Sequence, residues 1–311
     1  MWTKKRSKDA RSVQDQADPG RVQTYALITG ASQGLGRALA EECARLGMDL
    51  VLVALPASGL GPAAQDIAAR YGVRAAYYEI DLTAPGSPEA LFQRISDRDF
   101  PISMLLNNAG VGYNSRFEES TLRENETCIL LNNLALVKLT RLLLPELRRH
   151  PEAFVLNVAS MAAFFPMPFM PVYAPSKAFI VNFSLALREE MRATPVSVSV
   201  LCPNGIRTNQ ACREQIKAGG LAARLTCMDA DQVASYAIRK MLAGEAVIVP
   251  GFLNRLIVAV GRLMPRSTVY AVVSAFWGKA RDRVVRRRGR AFRTRTYGSA
   301  RPLPGTAIKD V

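Results

Sequence analysis

The sequence predicts an α/β fold in which a parallel sheet of about seven strands is covered on both faces by helices and followed by a helical C-terminal extension. Two observations predict this fold. Short apolar segments alternate with amphipathic helical segments along most of the chain, as in consecutive βαβ units. The chain has 311 residues, of which 49% are hydrophobic, and this is enough for a large core.

Each predicted strand is a nearly continuous apolar run, which is typical of a parallel sheet buried on both faces. The predicted strands cover residues 24–29, 49–54, 74–80, 102–107, 153–159, 196–201 and 246–250. The predicted helices include one that ends near residue 44 and others at 62–71, 88–97, 120–148, 173–192 and 229–243. Because ligands bind at the carboxyl ends of strands in such sheets, the residues that follow each strand are site candidates.

The excess of positive charge lies at the two ends of the chain. The net charge is +15, yet residues 22–250 contain equal numbers of basic and acidic residues. Residues 251–311 contain 14 basic and 2 acidic residues. A neutral body argues against specific nucleic-acid binding, whereas a basic end allows contact with an anionic membrane. The sequence predicts four segments: a flexible basic segment at 1–21, an α/β domain at 22–251, an apolar helical extension at 252–279 and a basic, flexible tail at 280–311.

Cysteine usage and the N-terminal residues indicate a cytoplasmic protein. The five cysteines include no CxxC pair, and the first residues contain no apolar stretch. No run of about 18 apolar residues lacks a charge, so a spanning helix is not expected. Peripheral association with a membrane remains an option because of the basic C-terminal end. No cluster has metal-ligand spacing, so no metal is expected.

A glycine-rich turn follows the first predicted strand. In TGASQGLG, the residues Gly30, Gly34 and Gly36 lie between this strand and the next helix. Glycine is needed where φ is positive or where backbone contacts a pyrophosphate, and the N–H groups at a helix start bind that anion. The turn predicts a dinucleotide site, with a purely structural tight turn as the alternative.

The end of the second strand bears on the choice of dinucleotide. A carboxylate at this point would bind the adenosine ribose of NAD. The residues here are Ala54 and Leu55, which are uncharged, and Asp49 lies at the opposite end of the strand. Without a carboxylate to repel a 2′-phosphate, NADP is favoured over NAD.

Small or polar residues also follow the third, fourth and fifth strands. They are Asp81 and Leu82, then Asn108, Ala109 and Gly110 within NNAG, and finally Ser160. A single strand-end Asp or Asn is more often a turn residue than a site residue. Together with the glycine turn after the first strand, four strand ends carry such residues, and their agreement indicates a site at this edge.

Tyr173 and Lys177 lie four residues apart on one face of the predicted helix 173–192. Pro175 is tolerated between them because it falls in the first helical turn. A nearby ammonium is expected to lower the pKa of the phenol, which can then exchange a proton with a carbonyl or alcohol oxygen. Ser160 can hydrogen-bond the same oxygen.

Together these motifs resemble the short-chain dehydrogenase/reductase family over residues 22–251. The resemblance implies a Rossmann-type doubly wound sheet, a nicotinamide cofactor and catalysis by Ser160, Tyr173 and Lys177, with Tyr173 as the acid/base. It also implies that Asn132, rather than Asn133, supports a proton relay to Lys177. The implied cofactor contacts are Gly30, Ser32, Gly34, Leu35, Gly36, Asp81, Leu82, Asn108, Ala109, Gly110, Tyr173, Lys177, Ile206 and Thr208.

The loop that follows the sixth strand resembles the Pro-Gly loop of the family but departs from it at one position. Asn204 stands where the family usually has glycine. Asparagine tolerates positive φ better than most residues, so the turn is expected to survive. The resemblance also implies a homodimer or homotetramer that pairs through the helices after the fourth and fifth strands.

Two apolar segments bear on the substrate. Residues 161–172 contain phenylalanine and methionine without a charge, so they form either a packed loop or a wall for an apolar substrate. Residues 252–277 are apolar apart from Arg255, Arg262 and Arg266. They can pack on the domain, cover the substrate entrance, contact a second subunit or lie on a membrane.

The sequence therefore predicts an NAD(P)-dependent oxidoreductase that reduces a ketone, aldehyde or 3-oxoacyl group of a hydrophobic, lipid- or steroid-like substrate. The alternative is a non-catalytic cofactor-binding protein that docks on anionic membranes through its C-terminal end. The complete Ser, Tyr and Lys set favours the enzyme.

Overall fold

A computed structural model describes residues 23–207 and 226–275 of the chain. The predicted segments at 1–21 and 280–311, and the candidate residue Thr208, lie outside these ranges. The strands are β1 (Tyr25–Thr29), β2 (Asp49–Ala54), β3 (Ala75–Glu79), β4 (Ile102–Asn107), β5 (Ala153–Val158), β6 (Val196–Leu201) and β7 (Val247–Ile248). The helices are α1 (Gly34–Arg45), α2 (Leu60–Tyr71), α3 (Ser87–Ser96), α4 (Leu122–Ile129), α5 (Leu136–Leu147), α6 (Tyr173–Glu190), α7 (Ala230–Leu242) and α8 (Phe252–Leu263).

All seven strands pair in parallel in the order β3-β2-β1-β4-β5-β6-β7. The first strand, β1, lies inside the sheet; β2 and β3 follow on one side of it and β4 to β7 on the other, so the order reverses between β1 and β4. In the register, Leu27 lies between Val51 and Leu105. The carboxyl ends of the strands therefore share one edge, as the sequence predicted, and the crevice for a ligand opens between β1 and β4.

Apolar side chains alternate between the two faces of the sheet and bury a helical layer on each. On one face, Ile28 and Leu52 contact α1, α2 and α7 through residues such as Leu39. On the other face, Leu27 and Leu105 belong to a cluster with α3, α5 and the end of α6. This arrangement confirms the predicted doubly wound α/β fold, since each strand is apolar on both faces.

The predicted element bounds agree with the structure to within about two residues, with two exceptions. β7 has only two residues, Val247 and Ile248, where a strand at 246–250 was predicted. The predicted helix 120–148 is divided into α4 and α5 by a π-helical turn at Leu130–Ala135. Residues 266–275 form a further helical stretch after α8.

In the part of the chain that the structure describes, one continuous helical stretch, Leu122–Leu147, is long and apolar enough to cross a membrane by length and composition. This stretch packs on the sheet through Leu139, Leu143 and Leu147, which are buried in the core. Its apolar character is therefore accounted for by the packing of the domain.

An ion pair joins β2 to the start of β3 at the edge of the sheet opposite the crevice. Asp49 is 2% exposed, and its carboxylate accepts hydrogen bonds from the backbone N–H of Arg74 at 2.8 Å and from the Arg74 Nε at 2.6 Å. Arg74 also stacks over the Tyr25 ring. Asp49 lies at the start of β2, away from the ligand edge, as the sequence indicated. These contacts explain why a charged side chain is buried there.

We expect Asp49→Asn to lower the free energy of unfolding by about 1–3 kcal/mol, because a buried charged acceptor is lost while Arg74 stays hydrated. Urea denaturation measures the difference. Glu189→Gln is the matched control, since Glu189 pairs with Arg192 at an exposed site and should change stability by less than about 0.5 kcal/mol. Equal effects of the two substitutions would contradict this role of Asp49.

Candidate active site

The glycine turn after β1 has the backbone geometry that only glycine adopts readily. Gly30 and Gly34 have φ values of 66° and 58°. A Cβ on Gly36 would lie 2.0 Å from the carbonyl oxygen of Gly30, so α1 starts in direct contact with the turn. A Cβ on Gly30 would lie 3.0 Å from Ala109 and Asn108, so a side chain at Gly30 or Gly36 would disturb the packing of the turn, and one at Gly34 would be strained by its positive φ.

The first turn of α1 faces this crevice with open N–H groups. In the described residues, no side chain caps the helix, and no acidic residue lies in its first turn. Ser32 is partly exposed in the turn, while Leu35 packs in the core. An uncapped, non-acidic helix start next to a glycine turn fits the pyrophosphate of a dinucleotide.

Asn108 joins the ends of the two central strands. Its side-chain amide donates to the carbonyl oxygens of Thr29 and Gly30 at 2.9 and 3.3 Å. In return, the Thr29 hydroxyl accepts the backbone N–H groups of Asn108 and Ala109 at 3.0 and 2.9 Å. The NNAG segment therefore stabilises the glycine turn, in addition to the cofactor contact predicted for it.

Asp81 and Leu82 lie at the end of β3 beside the same edge. Leu82 is buried, and Asp81 is exposed. The Asp81 carboxylate accepts hydrogen bonds from the backbone N–H and the hydroxyl of Thr83 at 2.9 and 2.7 Å. These bonds make Asp81 a turn residue, and its contact with a cofactor stays a prediction.

Ser160 and Tyr173 meet where β5 and α6 face each other. Ser160 follows β5 in an extended conformation and caps a short 3₁₀ helix by accepting the N–H of Ala162 at 3.1 Å. Burial raises the pKa of Tyr173, and a hydrogen bond with Ser160 lowers it by a smaller amount. The expectation of a lowered phenol pKa is therefore wrong for this structure, because desolvation is the larger effect.

Lys177 lies one helical turn after Tyr173 and is 4% exposed. Its Nζ donates to the carbonyl oxygen of Val158 at 2.9 Å and lies 5.8 Å from the centre of the Tyr173 ring. Burial lowers the pKa of Lys177 to about 8. The ammonium is thus aimed at the end of β5, beside the phenol rather than in contact with its oxygen.

Asn132 lies in the π-helical turn and is completely buried. Its side chain pairs with the backbone of Val111, accepting the N–H and donating to the carbonyl oxygen, both at 2.9 Å. It also donates to the hydroxyl of Ser176 at 3.0 Å. Asn133 instead donates to the backbone oxygen of Ser176, so both asparagines join this turn to α6.

Gly110 brings the predicted relay residues together. A Cβ at this position would lie 3.0 Å from Asn132 Oδ1 and 3.1 Å from Lys177 Nζ. The structure therefore places Asn132 and Lys177 next to each other at Gly110, and Lys177 lies beside the Tyr173 ring.

Three contributors to the site were not identified from the sequence. A Cβ on Gly112 would lie 2.7 Å from the Tyr173 ring, so this glycine permits the phenol to pack on the chain after β4. Ser176 donates to the backbone oxygen of Tyr173 at 2.7 Å. Cys128 accepts a hydrogen bond from Asn132 at 3.3 Å. The repeated glycines in NAGVG were a signal for the first, whereas the other two depend on tertiary contacts.

Ile206 lies in a short loop after β6, paired with Met228 in an isolated parallel bridge. Asn204, two residues earlier, is not among the described residues with positive φ. The asparagine therefore does not need the left-handed conformation that the sequence argument considered. Its side chain donates to Asn254 Oδ1 on α8 at 3.3 Å.

The apolar loop 161–172 separates Ser160 from Tyr173 and borders a narrow cleft. The cleft is lined by Tyr113, Ser115, Ser120, Asn125, Cys128, Phe169, Pro171, Val172 and Tyr173. Phe169 has a φ of 69°, a strained conformation for a bulky residue, and its carbonyl oxygen accepts the N–H of Ser115 at 3.0 Å. The loop and the segment after β4 thus form the two sides of the cleft.

Helix α8 packs on the outer side of the same loop. Arg262 lies over the Phe164 ring at 5.0 Å, and a Cβ on Gly261 would lie 2.5 Å from the Phe165 ring. Val258 of α8 is buried in an apolar cluster against which Phe164 and Phe165 pack. The C-terminal extension therefore covers part of the wall beside the cleft. Within residues 23–207 and 226–275, no group of three His, Cys, Asp or Glu side chains is arranged for a metal.

The combination of a parallel sheet, a glycine turn at its switch point and a Ser, Tyr and Lys set at its edge defines a dinucleotide-dependent oxidoreductase. The sequence model of the short chain dehydrogenase family matches residues 24–217. The chain belongs to this short-chain dehydrogenase/reductase family and is an NAD(P)-dependent enzyme.

Similar proteins include reductases of acyl substrates. Ketoacyl reductase HetN from Nostoc sp. is 32% identical over 246 residues, which cover 78% of this chain and 85% of that protein. Very-long-chain 3-oxoacyl-CoA reductase from Mus musculus is 26% identical over 273 residues, which cover 86% of this chain and 84% of that protein.

Solved structures with the same fold include cofactor complexes. A short-chain dehydrogenase from Sphingobium yanoikuyae in complex with NADPH is 30% identical with a TM-score of 0.67, and the match covers 77% of this chain and 93% of that one. A family member from Burkholderia phymatum in complex with NAD is 25% identical with a TM-score of 0.68, covering 78% and 92%. These neighbours agree with NADP or NAD as the cofactor.

The buried lysine should make stability depend on pH. The pKa of Lys177 is lowered to about 8 from 10.5, so this residue binds fewer protons in the folded protein than in the unfolded chain between these values. Its contribution to the free energy of unfolding should therefore rise with pH across this window, by up to about 3 kcal/mol. Burial raises the pKa of Cys43 and Cys202 to about 12, which lowers stability at high pH, so the rise is measured as the difference between the wild type and Lys177→Met in urea denaturation at a series of pH values.

The control for this measurement is Lys138→Met, which removes a lysine that pairs with Glu89 at the surface. Its stability should follow the wild type at every pH. If the free energy of unfolding of Lys177→Met also changes with pH in parallel with the wild type, the pKa of Lys177 is not lowered as its burial implies.

Proposed function

We propose that the protein is an NADP(H)-preferring reductase that converts a ketone, aldehyde or 3-oxoacyl group of a hydrophobic substrate to the alcohol. The observation that carries this proposal is the convergence of Ser160, Tyr173 and Lys177 beside an apolar loop at the dinucleotide edge. The acyl and keto substrates named for its relatives support the substrate class.

In this mechanism Tyr173 donates a proton from its Oη to the carbonyl oxygen of the substrate. A bound reduced nicotinamide would supply the hydride. A raised pKa is consistent with the role of Tyr173, because a proton donor must be protonated at neutral pH. The Ser160 hydroxyl donates a hydrogen bond to the same oxygen and stabilises the charge that develops there.

Lys177 and Asn132 restore the proton after the reaction. Lys177 lies near the Tyr173 ring with its charge directed at Val158, and Asn132 lies next to it around Gly110. An ammonium whose pKa is about 8 exchanges protons readily at neutral pH. We assign Asn132 the support of a water that passes a proton to Lys177.

Cofactor binding is assigned to the glycine turn and the strand ends. The N–H groups at the start of α1 would bind the pyrophosphate, with Gly30, Gly34 and Gly36 permitting its approach. Ala54 ends β2 without a charge, and the exposed Leu55 follows it. This neutral end supports a preference for NADP, since a carboxylate would repel the 2′-phosphate.

The oligomer that we propose is a homodimer or homotetramer that pairs through α4, α5 and α6. Large apolar side chains are exposed on α4, on α6 and on the turn between α4 and α5. They are Leu122 at 80%, Ile129 at 53%, Leu134 at 44% and Phe179 at 47%. Phe179 stacks on Phe183, which forms a flat aromatic surface suited to a symmetric contact.

We also propose that α8 binds an anionic membrane surface, which would make the enzyme a peripheral membrane protein of the cytoplasm. Its outer face exposes Phe252, Leu256 and Leu263 at 75%, 47% and 87%. Arg255 and Arg262 lie along one border of this face, and residues 252–275 contain no acidic residue. An apolar face bordered by arginines is typical of an interfacial helix. An active enzyme can dock on a membrane in this way, so membrane binding by itself does not favour the non-catalytic alternative.

We expect Tyr173→Phe to reduce NADPH oxidation with an apolar 3-oxoacyl or ketone substrate by about 10²–10⁴-fold, because the proton donor is lost. NADPH binding, followed by its fluorescence, should be retained. Tyr77→Phe is the control, since Tyr77 lies on β3 at the far edge of the sheet. Full turnover by Tyr173→Phe would refute the mechanism.

For membrane binding, the double variant Leu256→Asp with Leu263→Asp should weaken sedimentation with vesicles of phosphatidylglycerol and phosphatidylcholine by about tenfold or more, because apolar surface no longer enters the interface. Binding by the wild type should also fall as salt rises. Leu122→Asp, at an exposed leucine on α4, is the control. Unchanged sedimentation of the double variant would show that α8 is not the anchor.

A further inference from the structure

One polar side chain is buried on the inner face of α8. Asn254 is 2% exposed, although most of this helix faces solvent. Its amide donates to the carbonyl oxygens of Pro250 and Thr226 at 2.8 and 2.9 Å. Its Oδ1 accepts the side-chain N–H of Asn204 at 3.3 Å. Both amide hydrogens and the oxygen are therefore used, as a buried amide requires.

Two of these partners lie next to the loop that contains Ile206. Asn204 precedes Ile206 by two residues, and Thr226 precedes Met228 by two residues. Ile206 and Met228 form the parallel bridge, in which the N–H of Arg207 donates to Met228 at 3.1 Å and the N–H of Met228 donates to Gly205 at 3.3 Å. Asn254 thus bonds to each of the two chain segments that the bridge joins.

The start of α8 is shaped to allow this contact. Gly251 has a φ of 88°, and a Cβ at this position would lie 3.1 Å from Asn254 Nδ2 and 3.5 Å from Met228 Sδ. A larger residue would be strained by the positive φ and would press on the Asn254 amide. The close approach of α8 is therefore a second feature that connects the helix to the loop, independent of the hydrogen bonds of Asn254.

We infer that Asn254 is a positioning residue that fixes the loop around Ile206 through its bond to Asn204. This inference rests on the proposed function and on the cofactor contact that the family resemblance implies for Ile206, which we assign to the nicotinamide. The rate of hydride transfer depends steeply on the distance and angle of approach. Loss of these bonds should therefore slow the chemical step, whereas dinucleotide affinity, which depends mainly on the glycine turn, should change little.

The test compares Asn254→Ala with Asn182→Ala. Asn182 is a matched control because its exposed amide also donates to the backbone oxygen four residues earlier, at 3.0 Å. We expect Asn254→Ala to lower kcat about tenfold, with the dissociation constant for NADPH within about twofold of the wild type. The primary deuterium isotope effect with 4-deuterated NADPH should increase, since hydride transfer becomes more rate-limiting.

Hydrogen exchange of the cofactor-free protein gives a readout that does not depend on turnover. Asn254→Ala should exchange the amides of Arg207 and Met228, which donate the two hydrogen bonds of the bridge, about tenfold faster, because the segments on both sides of the bridge lose a partner. Asn182→Ala should leave their exchange unchanged. If exchange at the bridge is unchanged in Asn254→Ala, the inference fails whatever the substrate proves to be.

A double-mutant cycle with Asn204→Gly separates positioning through Asn204 from a general loss of packing. If Asn254 acts through Asn204, the effect of Asn254→Ala on kcat should be smaller in the Asn204→Gly background than in the wild type. Equal effects in the two backgrounds overturn the route through Asn204. If Asn254→Ala does not fold, Asn204→Ala tests the same bond from its partly exposed partner.

The outcomes also distinguish this inference from the proposed function. If none of the apolar carbonyl compounds tested supports NADPH oxidation by the wild type, the proposed function is contradicted. Hydrogen exchange still decides in that case whether Asn254 fixes the bridge. A wild type that turns over substrate while Asn254→Ala has the same kcat and isotope effect contradicts the positioning role alone.

Discussion

The hydrogen bonds between Asn108 and the end of β1 are the contact on which the rest of the site depends. They join the glycine turn, at Thr29 and Gly30, to the start of the segment after β4. That segment then continues to Gly110 and Gly112, which touch Lys177 and Tyr173. Since β1 and β4 flank the switch point of the sheet, one amide side chain sets the spacing between the dinucleotide side and the proton-transfer side.

Burial affects the two ionisable groups of the site in the same sense. It raises the pKa of Tyr173 and lowers the pKa of Lys177, so both side chains are shifted towards their neutral forms. Cys128 and Cys202 offset this effect for the lysine by a smaller amount, and the Val158 carbonyl accepts a hydrogen bond from its Nζ. A site of low polarity next to an apolar loop suits a substrate whose only polar atom near the site is the oxygen that accepts the proton.

Local patterns in the sequence were sufficient for the fold. The apolar runs identified all seven strands, and their parallel order led to the prediction of a site with Ser160, Tyr173 and Lys177 at one edge. The direction of the Tyr173 pKa shift could not be predicted, because it depends on how deeply the segment after β4, which packs on the ring at Gly112, buries the phenol. The contacts of Asn254 could not be predicted either, since its partners lie up to 50 residues away in the sequence.

The π-helical turn at Leu130–Ala135 gives the long helix between β4 and β5 one residue more than regular α-helical geometry accommodates over the same length. The wide turn absorbs this residue, so that Asn132 lies buried at the site while Leu139 is buried in the core. Deleting one residue from this turn would restore regular α-helical geometry between the same two ends, so α4 and α5 would keep their relative rotation. Such a deletion should therefore disturb the position of Asn132 and leave the core contacts of the flanking helices in register.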